Sequence, residues 1–235
     1  MTGTEAARLS QLRRRVLRAN LALPEAGLVT LTRGNASAID HELGLIAIKP
    51  SGVSYATLRE RDIVVLDLEG QVQVGDAKPS TDMPTHVALY RAFPGIGGVV
   101  HTHSTWATSW AQAEREIPLL GTTHADLSPH PVPLTRRLTE AEIDSGYEAA
   151  TGKVIVEAVA ELGPDELPCV LVRQHGAFCW GPTLERAVES AVALEQVARL
   201  ASITHVVQAH PNSLDPALRQ KHYERKHGEG VRLTV

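Results

Sequence analysis

Two histidines one residue apart, His101-Thr102-His103, carry the sharpest chemical signal in the chain. The run before them, Gly97-Gly98-Val99-Val100, reads as a buried strand. On a strand, residues i and i+2 project from the same face, so both imidazoles would enter one pocket. Together they offer two nitrogen ligands to a metal ion. His175, within Arg173-Gln174-His175-Gly176, again follows a β-like run. Three imidazoles at strand ends, with a carboxylate nearby, suit a catalytic metal that keeps a position open for substrate. The competing reading is a histidine pair packed without metal, because short motifs also recur by chance.

Three other segments combine small polar residues with a cation or backbone amides: Gly34-Asn35-Ala36-Ser37, Lys49-Pro50-Ser51-Gly52 and Lys78-Pro79-Ser80-Thr81-Asp82. Glycine and serine in turns expose N–H and hydroxyl donors of the kind that cradle a phosphate, and lysine adds charge. Each segment alone is also an ordinary turn. Asp82 is placed to cap the following helix, to ligate a metal, or both. His86, one turn further on, reads as structural or as a support behind the ligands, and His41, His205 and His210 as surface residues. Cys169 and Cys179 read as small core hydrophobes.

The elements that position these residues follow from periodicity and punctuation. Leu9, Leu12 and Val16 recur at helical spacing within a helix expected from about Glu5 to Leu23. Short β-like segments are expected at Leu28–Leu31, Leu45–Ile48, Ile63–Leu68, Val72–Val74 and Cys169–Arg173. Helices are expected after Asp82, after Ser104, from Thr139 (with Glu142 completing a capping box) to about Leu162, and after Thr183. Strands come first in meander-like runs and then alternate with helices, which predicts a mixed α/β sandwich rather than a Rossmann fold.

Composition narrows the functional classes. The chain has 235 residues, 43% of them hydrophobic, which suffices for one core-forming domain over 1–235. A net charge of −4 gives no basic footprint for nucleic acid. Two cysteines exclude a disulfide framework and a cysteine-built zinc module. No apolar run approaches the roughly 20 residues that span a bilayer. Met1-Thr2-Gly3-Thr4-Glu5 lacks a signal-peptide layout, so a cytoplasmic location with no membrane partner is expected.

Read in order, the segments resemble the class II aldolase family in its epimerase branch. Ala19-Asn20-Leu21-Ala22-Leu23-Pro24, Ile48-Lys49-Pro50-Ser51-Gly52-Val53 and Pro84-Thr85-His86 carry the likeness in the first half. Gly121-Thr122-Thr123-His124-Ala125-Asp126, His175-Gly176 with Trp180-Gly181, and Lys221-His222-Tyr223 with Arg225-Lys226-His227-Gly228 carry it in the second. The resemblance implies a three-layer α/β/α sandwich around a mainly antiparallel central sheet. It also implies a homotetramer with active sites at subunit interfaces. It puts His101, His103, His175 and Asp82 on Zn2+, with Mn2+ or Co2+ as substitutes. Asn35, Lys49, Ser51, Gly52, Ser80 and Thr81 would hold a sugar phosphate, and Asp126 would be the catalytic acid/base. His222 and Arg225 would reach a neighbouring subunit's site, with Glu148 contributing.

The activity implied is metal-dependent epimerisation at C4 of a pentulose phosphate, L-ribulose 5-phosphate to D-xylulose 5-phosphate, by retro-aldol cleavage and re-addition. A sugar-phosphate aldolase of the same family is the alternative, but such aldolases resemble this chain with glutamate in place of Asp82. A non-catalytic adducin-like interaction domain is the third reading, and it predicts a degraded histidine set. Two departures stand out. The C-terminal tyrosine of the epimerases falls on Leu233, and Leu127-Ser128-Pro129-His130-Pro131 replaces a segment that is aromatic and glycine-containing in the family. His130 and Arg232 are the candidate replacements for the missing acid.

Overall fold

Strand residues that alternate in size between two buried faces set the architecture. The computed structural model describes residues 2–228. Its strands are β1 (Asn35–Asp40), β2 (Leu45–Ile48), β3 (Val64–Asp67), β4 (Val72–Val74), β5 (Gly98–Thr102), β6 (Cys169–Val172) and β7 (Gly176–Gly181). They form one sheet in the order β4-β3-β2-β1-β5-β7-β6, with each neighbouring pair antiparallel. The helices are α1 (Gly3–Glu25), α2 (Met83–Ala92), α3 (Thr105–Gln112), α4 (Thr122–Ala125), α5 (Glu140–Val159), α6 (Gly163–Glu166), α7 (Leu184–Val207) and α8 (Pro216–His227).

One sheet face presents Ala36, Ala38, Ala47, Val65, Val100 and Ala177 to Leu12 and Val16 of α1, Trp110 of α3 and Leu194 of α7. The other presents Ile39, Ile46, Ile48, Val64, Val99 and Phe178 to Val87 and Leu89 of α2 and Ile155 of α5. The outcome is the expected three-layer α/β/α sandwich. Small residues on the first face let helix backbone come close. A Cβ on Gly98 would lie 2.4 Å from Leu184 Cα, so α7 rests directly on β5. No helix among the described residues is long and apolar enough to cross a membrane.

Helix boundaries follow the caps. Thr2 with Glu5, and Thr139 with Glu142, form capping boxes, and the Thr183 hydroxyl accepts from Arg186 N. Ser104 occupies the N-cap position of α3 without using its side chain. Instead the Glu195 carboxylate, from α7, accepts from Trp106 N and Ala107 N at 2.9 Å each. The first turn after the His-x-His strand is therefore fixed from across the layer.

The strand expected at Leu28–Leu31 does not form. Leu28 is buried, but Leu31 is 82% exposed with φ 57 in a turn, and the sheet begins only after Gly34 (φ +77). The strand is the next segment, Asn35-Ala36-Ser37-Ala38-Ile39-Asp40, whose small residues give a weak local β signal. Pairing on both sides, with β2 and with β5, decides it.

Candidate active site

Register brings the chemistry to one end of the sheet. Asn35 at the start of β1 pairs with His101 near the end of β5, and Thr102 pairs with Ala177 at the start of β7. The β6–β7 turn carries His175 to the same place. That turn is held by Glu114, which accepts from Arg173 and from Gln174 Nε2 at 2.6 Å each. A Cβ at Gly176 would stand 2.6 Å from Thr102 O and 3.4–3.5 Å from the His101 and His103 rings. Glycine is what lets the turn close over the histidines.

The ligand atoms of His101, His103 and His175 lie within 4.8 Å of one another, with Nε2 of His101 and of His103 only 3.0 Å apart. Asp82 Oδ2 is 4.0 Å from His101 Nε2. Its carboxylate makes no helix cap; it accepts from Asn35 Nδ2 at 2.7 Å and Ser80 Oγ at 3.3 Å. His101 Nδ1 meets the Ala177 carbonyl at 2.9 Å and His175 Nδ1 meets the Tyr147 hydroxyl at 3.0 Å, which leaves Nε2 of each ring for the cleft. Burial pushes the His101 pKa down and those of His103 and His175 to about 4, so the rings are neutral with lone pairs available at pH 7. Burial pushes the Asp82 carboxyl up, but His101, His86 and the Asn35 amide oppose it and leave it below its ordinary value. Three neutral nitrogens and one carboxylate oxygen form a donor set that fits a divalent metal.

Beside this cluster opens a cavity of about 520 Å³. Two loops build its wall. Ser51 N donates to Lys78 O and Ser80 N to Lys49 O, which sets Ser51, Gly52, Ser80 and Thr81 side by side. Lys49 is 2% exposed, with Nζ 3.4 Å from the Thr32 and Pro50 carbonyls and 4.7 Å from the Tyr55 ring centroid. No carboxylate among the described residues pairs with it. Asn35 Oδ1 is also buried without a partner. An unneutralised buried cation, hydroxyls and turn amides are what a phosphate dianion requires.

Ten of the fourteen residues singled out in the sequence, Asn35, Lys49, Ser51, Gly52, Ser80, Thr81, Asp82, His103, Glu148 and His175, line this one cavity, and His101 sits within the histidine cluster at its edge. Asp126, His222 and Arg225 gather elsewhere. Asp126 follows α4, and its Oδ1 meets His222 Nδ1 at 3.0 Å and Arg225 at 3.1 Å, both from α8. It lines a separate cavity below α8. His130 pairs with Glu166 at 2.7 Å, while Arg232 and Leu233 fall outside the described residues. Arg33 and Tyr147 are among the lining residues that were not anticipated. Arg33 makes no ion pair among the described residues and precedes the Gly34-Asn35 turn; Tyr147 follows a glycine inside a helical pattern, the available sign of a break. His86 is buried behind the site, with Nδ1 2.7 Å from Ser37 Oγ.

A family model, the class II aldolase and adducin N-terminal domain, matches residues 14–202. The chain belongs to this family. Among curated relatives, the proteins named L-ribulose-5-phosphate 4-epimerase UlaF of Salmonella typhi and Salmonella paratyphi A are each 50% identical to it over 220 residues, 94% of this chain and 96% of theirs. Solved structures share the fold at lower identity. An L-fuculose 1-phosphate aldolase superposes with TM-score 0.78 at 23% identity, over 92% of this chain and 95% of that one. The L-fuculose-1-phosphate aldolase of Thermus thermophilus gives 0.65 at 23%, over 88% and 100%.

Proposed function

We propose that the protein is a zinc-dependent epimerase that interconverts L-ribulose 5-phosphate and D-xylulose 5-phosphate by inverting C4. The observation that carries this reading is one cavity that gathers two chemically distinct sets of groups. One set is the three neutral imidazoles with Asp82; the other is Lys49 with the Ser51 and Ser80 loops. The name of the relatives supplies the substrate, and the cavity suits a small sugar phosphate.

Lys49, Asn35 and the loop hydroxyls would anchor the phosphate and so fix the sugar's distance from the histidines. His101, His103, His175 and Asp82 would hold the Zn2+, with Mn2+ or Co2+ as substitutes. When bound, such an ion supplies Lewis-acid polarisation of the substrate's carbonyl and adjacent hydroxyl. A base removes the C4 hydroxyl proton, and the C3–C4 bond breaks with its electron pair delocalising toward the C2 carbonyl. Glycolaldehyde phosphate and the enediolate of dihydroxyacetone result. The aldehyde turns over, the C3–C4 bond re-forms on its other face, and an acid returns the proton to oxygen. Two proton carriers, one on each face, are therefore needed.

Asp126 would be one of them. It does not line its own chain's cavity, and this supports a homotetramer in which a neighbouring subunit supplies Asp126 with His222 and Arg225. A cytoplasmic location is part of the same reading, because a phosphorylated sugar does not pass a membrane unaided.

The deciding test incubates purified protein and added Zn2+ with L-ribulose 5-phosphate and follows all products. D-xylulose 5-phosphate supports the proposal. Accumulating dihydroxyacetone and glycolaldehyde phosphate instead would make the protein an aldolase. A protein that takes up no divalent ion, where about one per subunit is expected, refutes the metal assignment.

A further inference from the structure

We propose that Tyr147 is a positioning residue that fixes the tautomer and orientation of His175, and that the kink at Gly146 is what delivers it. The inference rests on the metal site proposed above. It stands on the 3.0 Å contact between the Tyr147 hydroxyl and His175 Nδ1, together with Tyr147's place on the cavity wall.

An unbroken α5 would not present this side chain in the same way. Gly146 has φ 152 and ψ 80 inside the helix, a backbone state that side chains disfavour, and the helix changes direction there. The carbonyls around the break are satisfied by hydroxyls rather than by the helix alone. Thr85 Oγ1 donates to Glu148 O at 2.6 Å and Thr151 Oγ1 to Tyr147 O at 2.8 Å. Beyond the break α5 is pressed onto α2, where a Cβ on Gly152 would lie 2.6 Å from Ala88 Cβ. The phenol is thus held from both sides, by a fixed kink and by the ring it touches.

The chemistry follows from the histidine's two nitrogens. With the proton on Nδ1 donated to the tyrosine oxygen, the Nε2 lone pair faces the cluster. His101 is treated in parallel by the Ala177 carbonyl, so two of the three imidazoles have a dedicated orienting partner. Partners of this kind typically raise metal affinity by 10–100-fold.

The test compares wild type with Tyr147→Phe, which keeps the ring and removes the hydroxyl, and with Gly146→Ala. Alanine meets no atom within 4 Å at this position but disfavours the kinked backbone. Zinc affinity is measured by competition with a chromophoric chelator, and the Co2+ forms are compared by their visible d–d spectra. Expected are a zinc Kd about 10–100-fold weaker in Tyr147→Phe, a shifted Co2+ spectrum and an unchanged melting temperature of the metal-free protein. Gly146→Ala should weaken zinc in the same direction. Tyr147→Phe binding zinc within about twofold of wild type overturns the inference, as does a loss matched by a lower melting temperature of the metal-free form. Wild type that binds no zinc refutes the underlying metal site instead.

Discussion

Lys49→Met should move stability and ligand affinity in opposite directions. The Lys49 ammonium is almost wholly buried, and burial lowers its pKa. Among the described residues its polar partners are two carbonyls at 3.4 Å, with the Tyr55 face beside them. Desolvating an unpaired ion costs several kcal/mol in a protein. The carbonyls, at the long end of hydrogen bonding, and a cation–π contact of about 0.5–2 kcal/mol return part of this. Methionine keeps most of the apolar stem and removes the charge, so the ligand-free variant should gain roughly 1 kcal/mol. For a chain of this size that is a melting temperature about 2–4 °C higher. The phosphate loses a charge-assisted hydrogen bond with its ion attraction, about 2–4 kcal/mol, or roughly 30- to 700-fold in affinity. Differential scanning fluorimetry gives the first quantity, and calorimetric titration with L-ribulose 5-phosphate the second. A variant that melts lower than wild type, or binds the sugar phosphate as tightly, refutes Lys49 as an unneutralised phosphate anchor.

Three further outcomes follow from the same geometry. Asp126→Asn should cut epimerase turnover by about 10²-fold or more while zinc content stays that of wild type, as measured by steady-state assay and metal analysis; unchanged turnover would remove Asp126 from the mechanism. His124 is buried, and burial lowers its pKa to about 4. The unfolded chain therefore takes up its proton first, and stability falls as pH drops from about 6.5 toward 4. The loss from this residue is up to about 3 kcal/mol, and His124→Gln should show a correspondingly flatter pH dependence of its urea midpoint. Gly98→Ala drives a Cβ against the Leu184 backbone and should cost about 3 kcal/mol, lowering the melting temperature by roughly 6–12 °C.

Local sequence determined much of this protein. His101-Thr102-His103 needs only the two-residue repeat of a strand to aim both rings one way, and Thr139 with Glu142 needs only one turn of backbone to start a helix. The Lys49 and Ser80 segments were legible as donor-rich turns for the same reason: their chemistry lies within a few residues. What tertiary structure decided depends on partners far along the chain. Asn35–Asp40 is a strand because β2 and β5 flank it, although the stronger local β signal lay at Leu28–Leu31. Asp82 faces the cleft rather than capping α2 because Asn35 and Ser80 hold its carboxylate. Ser104 leaves the capping of α3 to Glu195, which is 91 positions away. Tyr147 reaches His175 through a kink whose direction no periodicity encodes, and Asp126 turns from its own chain's cavity toward α8. Side-chain types and short spacings fix which groups can do chemistry, while register, close packing and helix breaks fix which of them meet.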